Sequence, residues 1–134
     1  MIRASGGLGA VTLFVEDLPR TAAFYRDVFG LESVHEDDDA TAFRFGATIL
    51  NLLRTPAAHE LVEPAAVAAA GAGVRFQLTV WVDDAEAVCA QLRQHGIELL
   101  NGPVDRPWGQ RTAAFADPAG NVWEVAQHLS PPEG

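Results

Sequence analysis

The sequence predicts an α+β fold built from two tandem βαβββ units, and three observations predict it. A strand-cap-helix pattern occurs twice, as Val15-Glu16-Asp17-Leu18 and as Val82-Asp83-Asp84-Ala85. Each predicted helix stops on a glycine followed by an aliphatic residue, Gly30-Leu31 and Gly96-Ile97. After each helix come short β-branched and aromatic runs separated by turn residues, the pattern of strands. The offset from Val15 to Val82 is 67 residues, half of the 134-residue chain, so the chain reads as an internal duplication.

The first unit spans residues 9–53. Ala10 to Val15 is bounded by Gly9 and by Glu16-Asp17 and reads as a strand. Asp17 is a natural N-cap, and Pro19 suits a first helical turn. Ala22, Ala23, Phe24, Val28 and Phe29 then recur at helical spacing up to Gly30, giving a helix from Leu18 to Phe29. Leu31 to His35 is a short strand, Glu36-Asp37-Asp38-Asp39 a charged and solvated hairpin turn, and Thr41 to Phe45 the returning strand. Gly46-Ala47 turns the chain into Thr48 to Leu53, an apolar strand interrupted by Asn51.

Residues 54–73 break the pattern with Pro56, Pro64 and an alanine-glycine tract, and read as a linker or cover with a helical turn at Ala65 to Ala70. The second unit spans 74–128. A long strand, Val74 to Val82, leads through Asp83-Asp84 to a helix from Ala85 to His95. Ile97 to Leu100 is a short strand, and Asn101 to Gly109 a loop carrying Asp105, Arg106 and Trp108. Gln110 to Ala116 and Val122 to His128 are the closing strands, joined by Asp117-Pro118-Ala119-Gly120-Asn121, where Asp-Pro opens a turn and Gly120-Asn121 closes it. The tail, 129–134, is expected to be disordered.

Composition narrows the function. A hydrophobic content of 49% is ample for one domain's core. A net charge of −9 repels phosphate backbones and anionic lipid, so neither nucleic acid nor membrane is an expected partner. The chain has no membrane-length apolar run and no signal-peptide pattern at its N-terminus. The single cysteine, Cys89, allows no internal disulfide and reads as a buried small hydrophobe; with the charge pattern it points to a cytoplasmic location. Glu124 is the only charge in the last strand, and two readings stand for it. Either it faces solvent or a basic partner, or it lines a cavity as a metal ligand or hydrogen-bond acceptor.

From about Gly9 to His128 these motifs resemble the vicinal oxygen chelate superfamily, of glyoxalase, bleomycin-resistance and extradiol dioxygenase type. The likeness rests on Val15 to Leu18 leading to Phe24-Tyr25 and Phe29-Gly30-Leu31, on the second strand-cap-helix, and on Asp117 to Glu124. It implies a curved eight-stranded sheet, helices outside, around a ligand cup, and usually a homodimer. The family's four metal-ligand positions fall on Ala10, Asn51, Gln77 and Glu124. Alanine cannot ligate and asparagine ligates poorly, which leaves Gln77 and Glu124, whereas a transition metal prefers several imidazoles and carboxylates. The histidines do not supply what is missing. His35 adjoins the acidic turn, His59 sits in the linker, and His95 ends a helix, while His128 is about 13 Å along the strand from Glu124.

The implied cup takes its lining by strand alternation: Thr12, Phe14, Ile49, Asn51, Gln77, Thr79, Trp81, Val122, Glu124 and Ala126. Trp108 forms a rim for a flat ligand, and Arg111 either joins that rim or pairs with Glu124 or Asp117. Trp123, on the other strand face, packs in the core. The resemblance thus carries two expectations. The first is a metal-free binding protein of the bleomycin-resistance kind that holds an aromatic or cationic small molecule, with no cofactor. The second is a metal-dependent lyase, isomerase or dioxygenase, using Ni, Zn, Fe or Mn held by Glu124 and Gln77, with Glu124 as general base.

Overall fold

The structure, a computed structural model, describes residues 1–130. The eight expected strands are present, divided between two four-stranded mixed sheets, and the chain separates into two compact units, Met1–Ala72 and the remainder from Gly73.

In the first unit β1 (Ala10–Val15) leads to α1 (Leu18–Phe29), followed by β2 (Ser33–Glu36), β3 (Ala40–Phe45), β4 (Thr48–Arg54) and α2 (Thr55–Val62). The sheet order is β1-β4-β3-β2, with β1 parallel to β4 and the other pairs antiparallel. Local chemistry sets the boundaries. The Asp17 carboxylate accepts the Arg20 N–H at 3.1 Å, Pro19 occupies the first turn, and Gly30 closes the helix at φ 65°. Asp37 builds the acidic hairpin by accepting the N–H groups of Asp39 and Ala40, both at 2.8 Å. Gly46, at φ 58°, makes the two-residue turn between Phe45 and Thr48. Leu13, Val15, Phe43, Leu50 and Leu52 share one sheet face and are buried with Ala22 and Tyr25 of α1. Tyr25 stacks on Phe29 with ring centroids 5.5 Å apart.

In the second unit β5 (Leu78–Trp81), α3 (Ala85–Gln94), β6 (Leu99–Arg106), β7 (Gln110–Ala116) and β8 (Val122–His128) form a sheet of order β5-β8-β7-β6, with β5 parallel to β8. Asp84 caps α3 by accepting the Ala87 N–H at 3.0 Å. Ala85, Cys89 and Leu92 of α3 are buried, as are Ala113, Phe115, Trp123 and Val125 on the sheet face they cover. Burial also pushes the Cys89 thiol above its ordinary pKa, so the thiol is a packing group. Asp117 organises the turn before β8: one carboxylate oxygen accepts the N–H groups of Ala119 and Asn121, both at 2.9 Å, and the other accepts the Asn121 side-chain amide at 3.0 Å.

Four expectations are corrected. The helix in the cover segment is Thr55–Val62, ahead of Ala65 to Ala70; Pro56 sits in its first turn, where proline begins a helix. β5 starts at Leu78 instead of Val74, so Gln77 lies outside the strand. Asn101 to Arg106 is strand, not loop: two register shifts in β6 absorb Gly102 and Pro103 while pairing with β7 continues. Leu129, placed in the disordered tail, donates its N–H to the Gly109 carbonyl at 3.0 Å, while 131–134 lie outside the described residues. No helix among the described residues is long and apolar enough to cross a membrane.

Candidate functional site

Each sheet has one face turned to its long helix and one turned away, and the side chains expected to bind a ligand sort between them by parity. In the first unit a row across three strands places Thr12, Asn51 and Ala42 in register on the face away from α1, with Phe14 two residues further along β1. In the second unit the corresponding row is Thr79, Glu124 and Ala114, with Trp81 two residues beyond Thr79. Ala10 and Gln77 take equivalent places, each two residues before the threonine of its row. The two faces differ in what they carry.

On the second face the Thr79 hydroxyl donates to Glu124 at 3.0 Å, fixing the carboxylate against the sheet. Trp81 is 60% exposed and stacks on the His128 ring, centroids 4.3 Å apart and planes 22° from parallel. Stacked aromatic pairs of this kind add about 1 kcal/mol beyond their buried area and hold both rings in place. Across β7, Arg106 donates through Nε to the Thr112 hydroxyl at 2.9 Å and through Nη2 to Asn101 at 3.2 Å. Its guanidinium carbon lies 5.9 Å from the Trp108 ring centre. Trp108, 65% exposed, donates its indole N–H to the Gln110 amide oxygen at 3.1 Å. The result is a surface with two held tryptophans, a guanidinium, an imidazole and one carboxylate, over a floor formed by buried Ala126 and Thr112.

The parity moves one residue. Arg111 shares the helix-side face with Ala113 and Phe115. It forms a two-point pair with Asp105, at 2.6 and 3.2 Å, and lies 3.8 Å from Glu86 of α3, so its partner is neither Glu124 nor Asp117. That pair holds the Asp105 carboxyl below its ordinary pKa and lifts the Arg111 guanidinium further above its own. Val122 and Ala126, expected in the lining, keep the parity of Glu124 and are buried. Three polar members of the face went unnoticed in the sequence: Thr112, Asn101 and Gln110. Of these Gln110 and Thr112 had a signal, being the polar residues of β7 with the parity of Ala114 and Ala116.

The family's metal was tested against the donors present. Among the described residues no group of three or more His, Cys, Asp or Glu side chains is placed to hold a metal ion. Glu124 already accepts from Thr79, Gln77 is exposed ahead of β5, and Asn51 and Ala10 occupy the two equivalent places in the first unit. This donor set does not fit a tightly held divalent transition ion, which wants several imidazole or carboxylate ligands.

Comparison with known proteins agrees with this architecture. The chain is 29% identical over 123 residues to the uncharacterized protein YraH of Bacillus subtilis, covering 89% of this chain and 96% of that protein. Its fold matches a crystal structure of a glyoxalase/bleomycin resistance protein/dioxygenase from Nocardioides with a TM-score of 0.84 at 23% identity, over 98% of this chain and 89% of that one. It also matches the lactoylglutathione lyase of Agrobacterium tumefaciens with a TM-score of 0.75 at 25% identity, over 93% and 96% of the two chains. The pattern that defines the family matches residues 7–125, and the chain belongs to the glyoxalase/bleomycin resistance protein/dioxygenase superfamily.

Proposed function

We propose that the protein binds a small aromatic or cationic molecule without a metal, on the face that carries Trp81, Trp108, Glu124 and His128. The observation that carries this reading is the pair of held, exposed tryptophans, each oriented by a neighbour of its own, beside one carboxylate. Flat ligands gain most from aromatic surfaces already fixed in place, because little side-chain entropy is lost on binding. Thr79 orients the Glu124 carboxylate to meet a positive group, and the protein's net charge of −9 draws cations toward it. In the first unit Thr12, Phe14 and Asn51 offer a smaller, uncharged counterpart.

The test is intrinsic fluorescence. Trp81 and Trp108 are 60% and 65% exposed and Trp123 only 4%, so a ligand stacking on this face changes the emission of two of the three tryptophans. Saturable quenching by planar cations is the expected result. Unchanged emission across a panel of planar cationic, neutral and anionic aromatics would remove the reading.

The likeness to a lactoylglutathione lyase supports a second reading, a metal-dependent lyase, isomerase or dioxygenase in which Glu124 is the principal ligand or a general base. Elemental analysis after incubation with Ni, Zn, Fe or Mn separates the two. One equivalent of bound metal, lost in Glu124→Gln, would favour the enzyme. We further propose a homodimer, for which light scattering at twice the chain mass is the expected result.

A further inference from the structure

Among the described residues the half-buried arginines are Arg54, Arg106 and Arg111, and two of them meet a carboxylate. Arg54 pairs with Asp39 at 3.0 Å, and Arg111 with Asp105 at 2.6 Å. Arg106 pairs with no carboxylate among the described residues, in a chain whose net charge is −9. Its hydrogen bonds go to neutral acceptors, from Nε to the Thr112 hydroxyl at 2.9 Å and from Nη2 to the Asn101 amide oxygen at 3.2 Å. Those bonds fix the direction of the guanidinium without neutralising its charge. Its end, Nη1 with the second N–H of Nη2, is left open, and that fork is the one that receives a carboxylate at two points.

The place of Arg106 on the sheet is a second observation. Asn101, Ala114 and Glu124 are register partners across β6, β7 and β8. The bond to Asn101 therefore draws the guanidinium to the far end of the row that carries Glu124, and the two outer strands of that row lie about 10 Å apart. Glu124 is held by the Thr79 hydroxyl at 3.0 Å and has no basic partner among the described residues. Opposite charges thus stand on one sheet face, each held by a neutral neighbour and neither neutralising the other. Trp108 lies at the positive end, its ring centre 5.9 Å from the guanidinium carbon, and Trp81 follows Thr79 by two residues at the negative end.

We propose, resting on the binding face described above, that Arg106 receives a carboxylate of the bound molecule, so that the ligand is an amphoteric aromatic. Its carboxylate meets the open fork of Arg106, its positive group meets Glu124, and its ring lies against the tryptophans. A half-buried charge is costly unless it is paired, and a ligand carboxylate supplies the pair that the chain itself does not. A simple cation leaves the fork open and is repelled by it. A simple anion is repelled by Glu124.

The test is a calorimetric titration of the full chain with para-(aminomethyl)cinnamate, with its methyl ester, and with para-methylcinnamate. The amphoteric acid is expected to bind about tenfold more tightly than either control, through a charge-assisted pair at each end. Arg106→Gln lowers the preference for acid over ester to about twofold or less, whereas a merely structural role weakens acid and ester together and keeps their ratio. In the unaltered protein the Arg106 Nε–H resonance shifts saturably with the acid and not with the ester. Acid and ester binding equally, both weakened in Trp81→Ala, would overturn carboxylate recognition and leave the aromatic face standing. A preference that survives Arg106→Gln would overturn the role of Arg106, and equal binding of para-methylcinnamate would overturn the amphoteric class. Binding of none of the three would overturn the proposal, and the fluorescence panel then decides the face itself.

Discussion

The row Thr12-Asn51-Ala42 in the first unit and the row Thr79-Glu124-Ala114 in the second hold the same places in sheets of the same strand order, yet only the second carries a charge. Beside them, Phe14 holds the place in its sheet that Trp81 holds in the other, and Ala10 the place of Gln77. The helix sides differ far less. Each long helix opens on an aspartate cap, Asp17 at 3.1 Å and Asp84 at 3.0 Å, and each covers a largely apolar sheet face. The two copies therefore keep what folding demands of each, a cap and a core, and diverge on the face that folding leaves free. Chemistry is concentrated in the second copy.

The largest way to break this comparison is through the cores. Tyr25→Ala in the first unit and Trp123→Ala in the second should each cost about 3–5 kcal/mol, measured by denaturant unfolding, because both side chains are almost wholly buried. A loss near zero for either would mean that its unit's core tolerates a large hole.

Turns give the next effect and set the copies apart. A Cβ at Gly102, φ 84°, would lie 2.4 Å from the Thr112 carbonyl oxygen. At Gly46, φ 58°, it would meet nothing within 4 Å. Gly102→Ala should destabilise by about 3 kcal/mol, strain and clash together, and Gly46→Ala by about 1 kcal/mol, from strain alone. Equal losses in thermal unfolding would contradict the close approach of β6 to β7.

Binding sharpens the comparison further. Trp81→Ala and Trp108→Ala should each weaken a planar ligand about tenfold, and Phe14→Ala no more than about threefold, by fluorescence or calorimetric titration. A larger loss from Phe14→Ala would shift the site to the first unit.

The smallest effect is a pH dependence. The Arg111 guanidinium holds Asp105 below its ordinary pKa of 3.8, so this pair stabilises the fold above that pH and its contribution is lost as pH falls through the lowered value. Asp105→Asn should flatten that part of the acid-unfolding curve and leave stability at pH 7 little changed, because the pair is exposed.

Much of the fold was legible because its signals are local. Asp17 with Pro19, the glycine stops and the Asp117 turn each act within a few residues, and α1, β7 and β8 lie where the sequence places them. The misreadings share a different origin. Gly102-Pro103 has the composition of a loop, but pairing with β7 holds it as a bulged strand. Pro56 has the look of a breaker in the sequence, yet it begins a helix. Arg111 lies near Trp108 in sequence, but the parity of Gln110 to Ala116 sets it with Ala113 and Phe115.

The sequence by itself determined the duplicated βαβββ order, the helix caps, the turns and the identity of Glu124 as the lone charge of its strand. Backbone preference and hydrophobic period are written over short distances, so these needed no partner. Only the tertiary structure decided which side chains meet: Trp81 with His128, Arg106 with Thr112, and Arg111 with Asp105. Those meetings depend on strand register, where a shift of one position sends every side chain to the other face.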